Sequence, residues 1–148
     1  HKELWGSTGP VLPGARVELG KARTVRAGSD ITIVSWSKQV LACAEAADTL
    51  QAQGISAEVI DLRTIWPWDR EAVLESAQRT GRLLVVHEAV QAAGFGAEIA
   101  ATVAEHTNAR VARLGAPRIP VGYAPSLEAV SRIGAAKVAA AAQALLQR

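Results

Sequence analysis

The chain has 148 residues, a formal net charge of +2, and a composition that is 49% hydrophobic and 20% charged. This excludes a disordered chain, and charges interspersed without a basic run remove the electrostatic case for a nucleic-acid partner. Surface scaling gives a folded area of about 7,000 Å² against about 22,000 Å² unfolded, enough burial for one domain with a sizeable core.

Thirty alanines against 4% aromatics favour closely packed helices over an aromatic-rich β-sandwich. The lone cysteine, Cys43, excludes an internal disulfide and a cysteine-based zinc site. It points to a reducing compartment, and the expected localisation is cytoplasmic. No apolar run approaches the roughly 18 residues of a membrane helix and no signal pattern is visible, so no membrane partner is expected. Methionine is absent, so His1 is expected not to be the natural start.

In chain order, residues 1–20 are punctuated by Gly6, Gly9, Pro10, Pro13, Gly14 and Gly20 and read as an irregular linker. Residues 21–27 alternate up to Gly28, as a polar-flanked edge strand would. DITIVSW (30–36) is a β-branched run fit for a doubly covered strand. Ser37 can cap a helix running to about Gln53, with Val40, Leu41, Ala44, Ala47 and Leu50 on one face and Gly54 as its stop. EVIDL (58–62) is the next strand. Asp69 can cap a second helix that ends at Gly81.

RLLVVHE (82–88) is the most hydrophobic strand, and the loop QAAGFG (91–96) leads to a third helix over about 97–107. RVARLG (110–115) is a strand and APRIPVGYAP (116–125) a loop. Ser126 caps the start of a helical tail with Val130, Ile133, Val138, Ala141, Ala142, Leu145 and Leu146 on one stripe. Strands alternating with helices imply parallel βαβ units in a three-layer α/β/α sandwich of about five strands.

Ligands of open α/β sheets favour the carboxyl ends of the strands, where the winding reverses. Four residues there are candidates for an anion or crevice site: Ser37, His87, Gly94 and Gly96. His87 could serve as acid or base, or could bond a backbone carbonyl at a seam. Gly94-Phe95-Gly96 before a helix could hold an anion on backbone amides, or could simply permit a tight turn. Ile99 stands where the dinucleotide fingerprint needs a third small residue. Trp66 and Trp68 flank Pro67 and could form an interaction surface or cover a helix end. Asp61 and Arg63 share one side of a strand and suit an ion pair with a neighbour. Cys43 among alanines reads as a core filler. No spacing suggests a metal site, and no G-x-S-x-G elbow is present.

A family resemblance rests on SAEVIDLRTIWPWDREAVLESAQRTGRLLVVHEA (56–89) followed by GFGAEIAATVAE (94–105). LGKARTVRAGSDITIV (19–34) and RIPVGYAPSLE (118–128) add to it. The chain resembles the transketolase C-terminal-type domain of the beta subunit of thiamine-diphosphate-dependent 2-oxoacid dehydrogenases, most of all the branched-chain type. Pyruvate and acetoin relatives share much of the pattern. HKELW (1–5) resembles the exit from a preceding pyrimidine-binding domain. Relatives often carry glycine where Ser35 or Ser37 stands, and the segment after Glu105 is short.

The resemblance implies a mixed five-stranded sheet in the order 1-3-2-4-5, its first strand antiparallel, over residues 21–148. It implies thiamine diphosphate and magnesium in the parent complex, held by elements this chain does not contain, so no cofactor is expected on this chain alone and no catalytic residue is carried over. The implied role is assembly, with an alpha subunit, a second beta subunit and the subunit-binding domain of an acyltransferase as partners. That binding domain is basic in relatives, so Glu98 and Glu105, seven apart on one helix face, are the expected docking residues. The alternative from the residues alone is a free-standing α/β ligand-binding or regulatory module.

Overall fold

The computed structural model describes residues 1–147. Five strands form one sheet in the order β1-β3-β2-β4-β5. They are β1 (Arg23–Arg26), β2 (Ile31–Ser35), β3 (Ala57–Asp61), β4 (Arg82–Val90) and β5 (Arg110–Ala116). β1 pairs antiparallel with β3, and all other pairings are parallel. The helices are α1 (Gln39–Gln51), α2 (Arg70–Thr80), α3 (Gly96–His106), α4 (Pro125–Ser131) and α5 (Ala135–Leu146). Order and direction are those the resemblance implies.

The strand period of two divides the core between the sheet's faces. Ile31, Ile33, Val59, Leu84 and Val86 meet α1 and α5 on one face. Val34, Ile60, Leu83 and Val85 meet α2 and α3 on the other. The first face is built largely from alanine, with Ala46, Ala47, Ala139 and Ala142 all buried, which lets α1 and α5 sit close. Cys43 is a fully buried filler there, as its setting predicts. Beneath α2 runs a polar seam. Buried Glu58 accepts from Ser76 and from Arg79 at 2.5 Å, and Thr32 Oγ1 lies 2.6 Å from Ser76 Oγ.

Several local expectations change. Ser37 does not cap α1: its φ is +57°, its side chain makes no cap bond, and the helix starts two residues later. Leu41 is exposed, and Cys43 takes its place on the buried face with Val40, Ala47 and Leu50. Asp69 does cap α2, accepting from Ala72 N–H at 3.3 Å, and its other oxygen accepts from Ala22 N–H at 2.9 Å. Gly81 closes α2 in the left-handed conformation. Asp61 bonds Arg23 at 3.4 Å and accepts from Arg63 N–H at 3.0 Å, so its ion pair goes to β1.

The tail is two helices, not one. Pro125 opens α4 behind the extended Ala124, so Ser126 is no cap. Arg132 is extended, Gly134 flanks the start of α5, and Val130 faces solvent. Lys137 Nζ spans the corner, donating to the carbonyls of Ala129, Val130 and Arg132 at 2.6–3.0 Å. Pro125–Leu146 as a whole is 22 residues long and apolar enough to cross a membrane by length and composition. The corner breaks that length, and Val138, Ala142 and Leu145 are spent on the sheet core.

At the N-terminus, residues Lys2–Gly6 form a 3-10 turn, where HKELW was expected to leave a strand. Residues 1–20 are exposed except for Leu4 and Gly20. The observed surface is 8671 Å² against the ~7,000 Å² that scaling predicts.

Candidate functional site

With this strand order the winding reverses between β2 and β4, so the crevice lies beside Ser35 at the end of β2 and His87 on β4, where the β4–β5 register shifts between Val86 and Val90. The exits from β2, β3 and β4 each hold one non-glycine residue in the left-handed region: Ser37 at +57°, Arg63 at +60° and Ala93 at +60°. Such residues carry local strain held by their surroundings. Glycine takes that conformation freely.

The crevice is filled from within. Trp36 stacks on His87 with ring centroids 5.6 Å apart and planes inclined by 22°. Phe95 meets Trp36 edge-on at 5.7 Å, and Trp68 meets Phe95 edge-on at 6.4 Å. His87 is 1% exposed. Its Nδ1–H donates to the Ala89 carbonyl at 3.0 Å, and its Nε2 is buried without a partner among the described residues. Burial pushes its pKa down; the Ala89 bond opposes that, and the Arg113 charge adds to it. The ring is therefore neutral near pH 7, with Nε2 beside Gly94 and Gly96 at the positive end of the α3 dipole.

That packing explains the glycines. A Cβ on Gly94 would lie 2.6 Å from His87 Cε1, and one on Gly96 would lie 2.6 Å from both Cδ2 and Nε2. Gly115 on β5 completes the cradle, its would-be Cβ 2.7 Å from Cε1. The loop glycines make room for an imidazole, and the third glycine, which sequence inspection passed over, arrives from another strand.

Ser37 stands apart from this cluster. It lines a cleft of about 360 Å³ with Trp36, Lys38, Ile65, Glu88 and Ala89, which neither His87 nor the glycines line. Of the four crevice candidates the fold brings three together, around a packed ring and not an open pocket. The acid or base role open to His87 finds no solvent and no substrate space beside Nε2; the carbonyl-bonding role is the one the geometry displays.

The two tryptophans also part company. Trp66 is 79% exposed, ahead of a cis bond to Pro67, while Trp68 packs into the α2/α3 core. Glu98 and Glu105 are exposed on α3 and form no ion pair among the described residues. No group of three or more His, Cys, Asp or Glu among the described residues is placed to hold a metal ion.

Sequence inspection missed a bare apolar surface in and after the loop that follows β5. Tyr123 is fully exposed, and Ile119, Val121, Leu127 and Val130 are exposed beside it in sequence. Ile119 and Val121 border a cleft of about 300 Å³ that also meets Glu3, Glu88, Glu128 and Arg132. Glu3 titrates below its usual range because Lys38 donates to it, with Arg132 adding attraction. The available signal was large apolar residues in a proline-rich loop that cannot continue a core stripe.

A family model described as "Transketolase, C-terminal domain" matches residues 20–138. The beta subunit of the acetoin:2,6-dichlorophenolindophenol oxidoreductase of Cupriavidus necator is 41% identical over 148 aligned residues, covering 97% of this chain and 44% of its own. The 2-oxoisovalerate dehydrogenase subunit beta of Bacillus subtilis is 39% identical over 134 residues, covering 87% and 41%. Among solved structures, a split-gene transketolase described as an inactive beta4 tetramer superposes with a TM-score of 0.85 at 30% identity, covering 96% of this chain and 47% of that one. The chain spans less than half the length of each of these relatives.

Proposed function

The chain belongs to the transketolase C-terminal domain family, and on that premise we propose that it is the C-terminal assembly and docking domain of a 2-oxoacid dehydrogenase beta subunit. The parent enzyme would oxidatively decarboxylate a branched-chain 2-oxoacid, or pyruvate, and pass the acyl group to a lipoyl carrier. Its partners would be an alpha subunit, a second beta subunit and an acyltransferase subunit-binding domain, in the cytoplasm. The observation that carries this reading is the bare surface around Tyr123, Val121 and Leu127. Such patches on a folded domain mark contact with other chains or domains. The names of the relatives supply the kind of assembly.

Thiamine diphosphate and magnesium would sit elsewhere in that parent. Two observations support that placement: no group of three or more His, Cys, Asp or Glu among the described residues is placed to hold the metal, and Trp36 and His87 fill the switch-point crevice. No catalytic step is therefore assigned to any residue here. Glu98 and Glu105 are proposed to meet the basic acyltransferase segment.

The test is the native mass of the protein from its own cell, with subunits identified. A complex more than twice 15.5 kDa that contains an alpha subunit supports the reading. A native mass near 15.5 kDa without one overturns it in favour of a free-standing binding module. Charge reversal by Glu98→Lys with Glu105→Lys should then weaken acyltransferase binding and flatten its salt dependence. Unchanged affinity removes those two residues from the surface.

A further inference from the structure

We propose that the cleft between the turn after β4 and the end of β5 binds a small phosphate- or carboxylate-bearing molecule, held by Arg113 and Arg118. The cleft has a volume of about 420 Å³ and is lined by Gln91, Ala92, Arg113, Gly115 and Arg118, with Pro117 on its wall. That is within the size range of small-molecule sites. The clefts along Glu3 and Glu88, along Glu58 and Glu75, and beside Ser37 all carry carboxylates. This one carries two guanidinium groups and no carboxylate. Among the described residues neither arginine is in an ion pair. A guanidinium offers five donors in a planar fork, which suits the paired oxygens of a carboxylate or phosphate.

The site is also held in shape. Arg113 donates to the Gln91 carbonyl at 3.0 Å. Gln91 N–H donates to the Ala116 carbonyl at 2.9 Å, and Gln91 Oε1 accepts from Gly115 N–H at 3.2 Å. These three bonds join the turn to the strand, so binding orders little that is not already ordered. Gln91 Nε2 remains as a further donor at the rim. Behind the cleft, Gly115 backs onto the neutral His87, so no negative charge opposes an anion from within. Ala92 and Pro117 offer an apolar wall to the organic part of an ester or acid.

The test is NMR of the ¹⁵N-labelled full chain at constant ionic strength. It is titrated separately with inorganic phosphate, with glucose 6-phosphate, and with chloride as control. Saturable shifts are expected at the amides of Gln91, Ala92, Gly115 and Arg118 and at both arginine Nε–H groups, with chloride inert. Tighter binding of the ester assigns an organic ligand; equal binding assigns the free ion. Arg113→Gln and Arg118→Gln should each weaken binding tenfold or more, the loss of one charge-assisted contact. Arg110→Gln, on the same strand but outside the cleft, should leave it unchanged. Arg118 is exposed, so its variant should fold with an unaltered melting temperature in the absence of phosphate, which separates lost binding from lost structure. General stabilisation by phosphate would survive in both cleft variants. No saturable shift at tens of millimolar, or shifts that persist in both variants, overturns the proposal.

Discussion

Replacing Gly96 by alanine puts a methyl group 2.6 Å from two atoms of the His87 ring and 3.2 Å from Val85 Cγ1. The ring has nowhere to go. Trp36 covers one face, Nδ1 is tethered to Ala89, and Gly94 and Gly115 close on Cε1. Overpacking of this kind costs about 1–3 kcal/mol. Gly96 opens α3 without a left-handed backbone, so alanine also gains up to ~1 kcal/mol of helix propensity. The net loss should be about 1–2 kcal/mol, a fall in Tm of roughly 2–8 °C for a domain of this size. Urea unfolding measures it, read at unchanged m. The deciding step is the double-mutant cycle with His87→Ala. Without the imidazole, the new methyl enters vacated space, and Gly96→Ala should become neutral or stabilising, a coupling of about 1–3 kcal/mol. An equal cost in both backgrounds would refute the idea that His87 is why glycine stands there.

Four further outcomes are expected. The buried neutral His87 titrates below its usual 6.5, so the unfolded chain takes up the proton first. Its contribution to stability is complete above about pH 6.5 and is lost as pH falls from there towards the lowered native value, and His87→Gln should flatten that part of the pH–stability curve. Asp69→Ala removes both the α2 cap and the tether to Ala22 before β1, and should cost about 1–2 kcal/mol or more by urea unfolding. Ser37→Gly relieves a left-handed serine and should leave stability equal or up to ~1 kcal/mol higher, where a loss of that size would show the serine side chain to be needed. Burial pushes the Cys43 thiol up to about 12, so a thiol-specific reagent should label it only on unfolding, and rapid labelling of native protein would contradict its placement.

Strands and most helices were legible because they follow from local rules. Val34 and Ile33 face opposite sides because the strand period is two. Asp69 and Gly81 mark the ends of α2 because cap chemistry is local. The order 1-3-2-4-5 was not legible from periodicity, since which strands pair is decided by long-range packing; it came from the family resemblance. The tail misled for a definite reason. Helical spacing from Val130 to Leu146 is compatible with one stripe, but Gly134 and the Lys137 carbonyl clasp turn the chain between Val130 and Val138. The packing at the switch point between β2 and β4 is not legible in the sequence. Nothing in the spacing of Trp36, His87 and Gly115 announces that a ring on β4 fills the gap left by glycines at the start of α3 and on β5.

That filling bears on what the domain is for. In an open α/β sheet the switch point is the natural vacancy, because adjacent strands send their connections to opposite faces there. Here the vacancy between β2 and β4 is closed by a Trp36–His87 stack, buttressed by Phe95 and Trp68 and made possible by three absent side chains. The left-handed residues Ser37, Arg63 and Ala93 follow β2, β3 and β4, so local backbone cost is borne at the edge where chemistry would usually sit. A fold that stiffens this edge with its own side chains gives up the pocket and gains a rigid platform. What it leaves bare lies to either side: Trp66 on one exit, and Tyr123 with its apolar neighbours beyond β5. Rigid platforms with bare apolar flanks lose little entropy when they meet another protein surface. On the proposed assembly role, overpacking the plug by Gly96→Ala should weaken association at the flanks before it unfolds the domain. Trp66→Ala should instead weaken association while leaving the unfolding curve in place, because its ring supports nothing within the core.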